Sequence, residues 1–271
     1  LIFKHDVIIS PGTIFKLNKG VSIIFKNKVM ANGTKKNPII FESSDPKFFW
    51  GTIALSGHKT SNSVINNVII KGGSGGVVND IKYTSMLSLH NTKNIKLSNI
   101  ELSNNNFFDD MMHIIYSHDI DINNSKFSKS KYDAIDVDIS TNINFNNLEI
   151  YESGNDGIDS MDSIVNIKNT QIMKSRDKAI SAGENSTVKL LNSLIKDNKI
   201  GIASKDNSNV EISETTISNN LVQLDVYIKN WRYGGPGIIN LNNSKLLAKY
   251  NNIRTNDSGK INIYKSYINN E

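Results

Sequence analysis

Asn142-Ile-Asn-Phe-Asn-Asn-Leu-Glu-Ile150 alternates apolar and polar residues, as a strand with one buried face requires. The stretch is one of nine that align on their first apolar residue: 65–70, 97–102, 122–127, 145–150, 167–172, 190–195, 212–217, 241–246 and 263–268. Each ends in an apolar residue five positions on, and most successive copies stand 22 or 23 residues apart, a solenoid period. That is too short for two helices and their turns, so each repeat is one coil of strands. Seven of the nine carry asparagine at the third position, namely Asn67, Asn99, Asn124, Asn147, Asn169, Asn192 and Asn243, with Glu214 and Lys265 in the other two. Coils lie one strand spacing apart, roughly 4.8 Å, so an asparagine can hydrogen-bond its copy in the next coil. An internal or turn-stacked ladder is expected.

Nothing interrupts the repeat. The 271 residues contain no linker and no low-complexity run, which predicts one domain over 1–271 with residues 1–60 as opening coils and cap. The four prolines and the abundance of Asn, Ser and Lys suit short polar turns. Two coils are lengthened. One carries Lys71-Gly-Gly-Ser-Gly-Gly76, expected as a protruding flexible loop over 71–76. The other, over 227–237, carries Tyr227, Trp231, Arg232, Tyr233 and a Gly-Gly-Pro-Gly run. Loops leaving a solenoid wall usually shape its binding groove; Trp231 and Tyr233 can equally form an apolar patch closing the end.

Coil length, asparagine column and inward Ile, Val and Leu stacks resemble the right-handed parallel β-helix proteins, the architecture of pectate lyases. Pro11-Gly-Thr-Ile14 and Trp50-Gly-Thr-Ile53 resemble the opening of secreted bacterial members. The resemblance covers nearly the whole chain and implies an all-β, single-stranded right-handed parallel β-helix on a secreted, cell-surface or periplasmic protein. No apolar run is long enough to span a membrane, no signal peptide is evident, and there is no cysteine for a disulfide. A net charge of +5 permits an acidic partner. Nucleic acid is a poor candidate, because no arginine cluster interleaves with aromatics and no helix is available for a groove.

The chemistry lies before a second seam, Ser117, Ser140, Ser163, Ser186 and Ser208, spaced by 23, 23, 23 and 22 residues. Taking Met112, Ile135, Ile158, Ile180 and Ile202 as inward, alternation turns outward the column Ser88, His113, Asp136, Asp159, Ser181 and Ala203. Two residues on runs the column His90, Ile115, Asp138, Met161, Gly183 and Lys205. A third row at the strand entry holds Asp110, Asp133, Asp156 and either Asp177 or Lys178. Stacked carboxylates about 5 Å apart repel unless a cation, a shared proton or a facing base compensates. A calcium ion between Asp136 and Asp159 is one such compensation. The candidate catalytic set is His113, Asp136, Asp138, Asp159, Lys178, Glu184 and Lys205. Around it Asp110, Asp133, Asp156, Arg176, Trp231, Arg232 and Tyr233 are candidates for substrate contact. Asp110, Asp133 and Asp156 also suit turn capping, and His113 and the lysines suit a solvated face.

Phe108-Asp-Asp-Met-Met-His113, followed one coil later by Tyr132-Asp-Ala-Ile-Asp-Val-Asp138, also resembles the mannuronan epimerases and their lyase relatives. The resemblance implies His113 as the proton-transferring histidine, Asp110 as its companion and Asp138 as the carboxylate of the next coil. One extra residue separates Asp110 from His113, and Phe107 and Phe108 stand where that family's active tyrosine is expected, with Tyr116 and Tyr132 nearby. The expected function is lyase or epimerase action on an acidic, uronate-containing polysaccharide by a monomeric protein. The alternatives are glycoside hydrolysis on the same scaffold and a non-catalytic surface adhesin or glycan-binding module.

Overall fold

The computed structural model describes residues 1–248, 252–256 and 258–270. Alternating segments become strands that wind into about eleven coils of roughly 23 residues, each stacked in parallel on the next. One strand of every coil enters an eleven-stranded parallel sheet. In its middle, Leu87–His90, Met112–Ile115, Ile135–Asp138, Ile158–Met161, Lys178–Gly183, Ile200–Lys205 and Val222–Tyr227 lie side by side. The nine repeats form the remaining walls, as where 118–128 pairs with 141–151. Residues 1–60 join the same stack, Ile2 pairing Ile24 and Ile23 pairing Ile53. Helix is confined to two three-residue turns among the described residues.

Met112, Ile135, Ile158, Ile180 and Ile202 are fully buried, facing inward as alternation requires. Each such side chain contributes about 1.5–3 kcal/mol relative to remaining exposed.

The repeated asparagine has a backbone origin. All nine third-position residues, Glu214 and Lys265 included, adopt left-handed φ between 45 and 57°. Asparagine tolerates this conformation best among non-glycine residues. The column is not internal, since from Asn99 to Lys265 it is exposed. Coil-to-coil bonds join Asn147 to Asn124 at 2.8 Å and Asn192 to Asn169 at 2.7 Å, whereas Asn99 and Asn169 reach the preceding position, Asn66 and Asn146. We therefore expect Asn147→Ala to cost about 1 kcal/mol and Asn147→Gly close to nothing. Equal melting temperatures for the two variants would refute a conformational origin.

The buried ladders are built from hydroxyls. The amides of Ser117, Ser140, Ser163 and Ser186 donate to the side-chain oxygens of Ser140, Ser163, Ser186 and Ser208, at 3.0 to 3.2 Å. A second seam runs from Leu148 N through Thr170, Ser193, Thr215 and Ser244 to Ser266. These bonds satisfy turn amides that no strand partner reaches.

The loop expected to protrude at 71–76 is tucked in. Gly73, Ser74 and Gly75 are buried, and a Cβ on Gly73 would lie 2.5 Å from Met86 Cγ and 2.6 Å from the Trp50 ring, so only glycine fits. The projecting element is the antiparallel hairpin Gly76–Val78 with Ile81–Tyr83. The insertion at 227–237 does stand out, with Trp231 78% exposed on a short turn. Its root is held by buried Asp206, whose Oδ1 accepts from the amides of Lys229 and Asn230, both at 2.7 Å.

Candidate functional site

Strand register sets the chemistry in rows across the eleven-stranded sheet. Ser88 pairs with His113, His113 with Asp136, Asp136 with Asp159, Asp159 with Ser181 and Ser181 with Ala203. The adjacent row runs His90, Ile115, Asp138, Met161 and Gly183. At the strand entry Asp110, Asp133 and Asp156 are followed by Lys178, not Asp177: the amides of Met111, Ala134 and Gly157 donate to the carbonyls of Asp133, Asp156 and Lys178. These side chains face away from the core but not into open water. His113 is 7% exposed and Asp110 and Asp156 are each 2% exposed.

His113 is held from both ring nitrogens. Its Nε2 lies 3.2 Å from Asp138 Oδ2 and 3.7 Å from Asp136 Oδ2. Its Nδ1 lies 3.0 Å from Thr84 Oγ1, and the Thr84 hydroxyl donates to Asp110 Oδ2 at 3.2 Å. Thr84 thus bridges Asp110 and Nδ1, which orients the ring and directs Nε2 at the carboxylates. The His90 ring stands edge-on to His113, with centroids 5.6 Å apart. Burial, then the charges of His113 and Lys26, lower His90 to about 4, so it stays neutral.

Burial dominates the carboxyls and their mutual repulsion adds to it. Asp110 is pushed up to about 9 by burial, then by Asp109 and Asp133. Asp136 is raised well above the ordinary range by burial, then by Asp110, Asp138 and Asp159. Asp133 rises to about 7 and Asp156 to about 6, both chiefly through burial; Asp156 adds to the rise of Asp133, while Lys178 opposes that of Asp156. Asp133 and Asp156 also cap the next coil, accepting the amides of Asp156 at 2.7 Å and Lys178 at 2.8 Å. The capping reading holds for Asp133 and Asp156. Asp110 is thus a neutral acid near pH 7, able to donate a hydrogen bond, and Asp136 holds its proton more tightly than an ordinary carboxyl.

Cations occupy the following coils. Lys205, 3% exposed, donates to Ser181 Oγ at 2.8 Å and lies 3.6 Å from Asp159 Oδ1. Burial disfavours its charge, but Asp159 and Glu184 outweigh that and raise it. Gly183 makes room: a Cβ there would come 2.6 Å from Lys205 Cε. Lys178 contacts Asp177 and lies 3.5 Å from Asp156, and both acids raise it against burial. Tyr227 pairs in register with Lys205; burial raises its phenol, against the pull of Lys178 and Lys205.

The structure thus brings together His113, Asp110, Asp136 and Asp138, with Asp159, Lys205 and Lys178 continuing the rows. Glu184 stands in the turn after Lys178–Gly183 within electrostatic range of Lys205, and burial raises it. Arg176 belongs to the seam preceding the sheet. Trp231, Arg232 and Tyr233 sit on the outer insertion, where Arg232 lies 5.9 Å over the Trp231 ring, with no contact to the His113 group among the described residues. Thr84 and Tyr227 were not among the expected site residues. Thr84 follows an inserted hairpin, outside any column that a 23-residue period could align. The donor atoms able to share a cation are those of Asp110, His113 and Asp136, all within 4.8 Å of one another.

Among curated proteins, none matches this sequence significantly. Solved structures share its architecture at low identity. The enzymatically active domain of tailspike protein 2 of bacteriophage CBA120 superposes with a TM-score of 0.61 at 8% identity, over 92% of this chain and 43% of that one. This chain therefore spans less than half of that protein's length. A mutant of the periplasmic alginate epimerase AlgG gives 0.60 at 13% identity over 95% and 73%, and pectate lyase Pel9A gives 0.52 at 11% over 96% and 69%. These likenesses speak for the fold. The profile of the right handed beta helix region matches residues 112–271, more than half of the sequence, and with the parallel coils described above this chain belongs to that family.

Proposed function

We propose that this protein acts on an acidic, uronate-containing polysaccharide by removing the proton α to a uronate carboxylate. The observation that supports this most directly is His113, fixed by Thr84 at Nδ1 with Nε2 turned to Asp138 and Asp136. In this reading a uronate carboxylate lies towards Lys178 and Lys205, whose charges favour the anion. His113 takes the α-proton, and the carboxyl of Asp136, whose protonated form burial favours, donates a hydrogen bond to the developing enolate. In β-elimination the electron pair of the broken C–H bond forms a C=C bond as the glycosidic oxygen leaves with a proton. In epimerisation a proton returns to the same carbon from the opposite face. The acidic polymers involved place the protein outside the cytoplasm, acting as a monomer.

Asp136 also supports a second reading, retaining glycoside hydrolysis. Burial favours its protonated form, and it pairs in register with Asp159 of the next coil, near the roughly 5 Å carboxyl separation that such a mechanism uses. A calcium ion on Asp136 and Asp159 is a weaker proposal than compensation by proton and ammonium. Lys205 already faces Asp159, and calcium prefers six to eight oxygen ligands over a set containing imidazole.

Incubation with a panel of acidic polysaccharides, with and without EDTA, separates these. Absorbance of an unsaturated uronate product is expected if elimination operates, and a changed C5 configuration by NMR if epimerisation does. New reducing ends without absorbance would replace both with hydrolysis. Activity lost in EDTA and restored by calcium would return the metal to the site. No change in any polymer would overturn the acid–base reading.

A further inference from the structure

A groove of about 590 Å³ lies on the seam just before the eleven-stranded sheet, where residues 104–106, 129–131, 152–154 and 174–176 pass in successive coils. It carries four cations, Lys129, Lys131, Lys174 and Arg176, against the single carboxylate of Glu152. Two lysines on another wall are paired across coils, Lys126 with Glu149 and Lys189 with Glu211. Among the described residues, Lys129, Lys131, Lys174 and Arg176 have no acidic partner within ion-pair distance.

Lys129 and Lys174 have φ of 59°, in a left-handed turn column that also carries Asn104, Glu152, Asp197 and Asn219, so the side chains of this column leave the turn in the same direction on successive coils. Between Lys131 and Arg176 the intervening coil supplies Gly154, at which a Cβ would come 1.9 Å from the Lys131 carbonyl oxygen, so a side-chain-free gap separates the two cations. Two coil steps put them roughly 10 Å apart.

We propose that this groove binds a strand of anionic glycan running along the solenoid axis, at a site separate from the His113 cluster. Cations spread over three coils match anions repeated along a polymer better than one small anion. The side-chain amide of Asn106 suits sugar hydroxyls. Stacked bases fit less well, because the neighbouring Tyr132 and Tyr151 rings are each covered by a lysine, Lys131 at 5.8 Å and Lys174 at 4.8 Å.

The test is calorimetric titration of the His113→Asn protein with galacturonate and mannuronate hexamers, which reads binding with turnover suppressed and so stands or falls apart from the catalytic reading. At least one hexamer should bind, weakening as salt is raised. Lys131→Ala combined with Arg176→Ala should weaken it about tenfold or more, while Lys189→Ala, on another wall, should leave it unchanged. Monomeric uronate should bind far more weakly. Both cations are exposed, so an unchanged melting temperature verifies that the double variant is folded. Binding unaffected by the double substitution, no binding of either hexamer, or single-stranded DNA displacing the hexamer at comparable affinity would each overturn the proposal.

Discussion

Replacing His113 with asparagine is expected to lower turnover of the acidic polysaccharide about 100-fold to 10,000-fold, the usual loss when a positioned acid or base is removed. Asparagine keeps a polar group facing Thr84 and Asp138 but cannot accept and pass on a proton near neutral pH. Asp138→Asn should fall in the same range, because the carboxylate 3.2 Å from Nε2 would no longer favour the imidazolium formed when the proton is taken. Neither side chain belongs to the apolar interior, but His113 is only 7% exposed, so a stability cost of about 1–3 kcal/mol accompanies the substitution. Melting temperature and kcat must therefore be read together. Both variants folded and turning over at the parental rate would move the chemistry away from this row.

Raising the pH from 7 to 9 is expected to destabilise the fold by about 2–3 kcal/mol, lowering the melting temperature by roughly 4–10 °C. The sign follows from Asp110, at about 9 in the fold against its ordinary value of 3.8. Across this window the unfolded chain has already released the proton that the folded chain retains. Stability from a raised carboxyl is complete only below its unfolded value and is lost as pH climbs to the folded one. His90 acts on the other side: lowered to about 4, it costs stability only as pH falls below 6.5. Asp133, near 7, is half titrated where the window opens and finishes within it, adding about 0.4 kcal/mol in the same direction. Asp110→Asn should flatten the dependence by the Asp110 share. An equal slope in the variant would show that Asp110 is not the group responsible.

The columns were legible because a strand has only two faces. Once Met112, Ile135 and Ile158 were taken as inward, the pairing of His113 with Asp136 and of Asp136 with Asp159 followed from a 23-residue step. What lay over those columns was not legible. Thr84 reaches His113 from beyond an inserted hairpin, and a period carries no information about residues outside it. The glycines of 71–76 suggested flexibility, whereas Gly73 is glycine because Trp50 and Met86 leave no space for a Cβ. The asparagine column marked the repeat correctly, but its cause is a left-handed turn, and residue type alone does not separate that from an internal ladder. Arg176, a candidate for substrate contact in the sequence, lies two residues before Lys178, where the chain is still rounding the preceding corner and lines the groove there.

The serine and threonine seams also bear on how this chain can change length. Each turn amide is answered by a hydroxyl exactly one coil further on, so removing or duplicating a whole coil, such as the span from Thr141 to Ser163, leaves every donor facing an acceptor of the same kind. A shift by part of a coil would strand several amides at once. Growth by duplication of 22- or 23-residue units is then the natural genetic route to a longer or shorter member. The coils from Asp110 to Lys205 are the ones such exchange must spare, because their outer faces differ from one to the next while their seams do not.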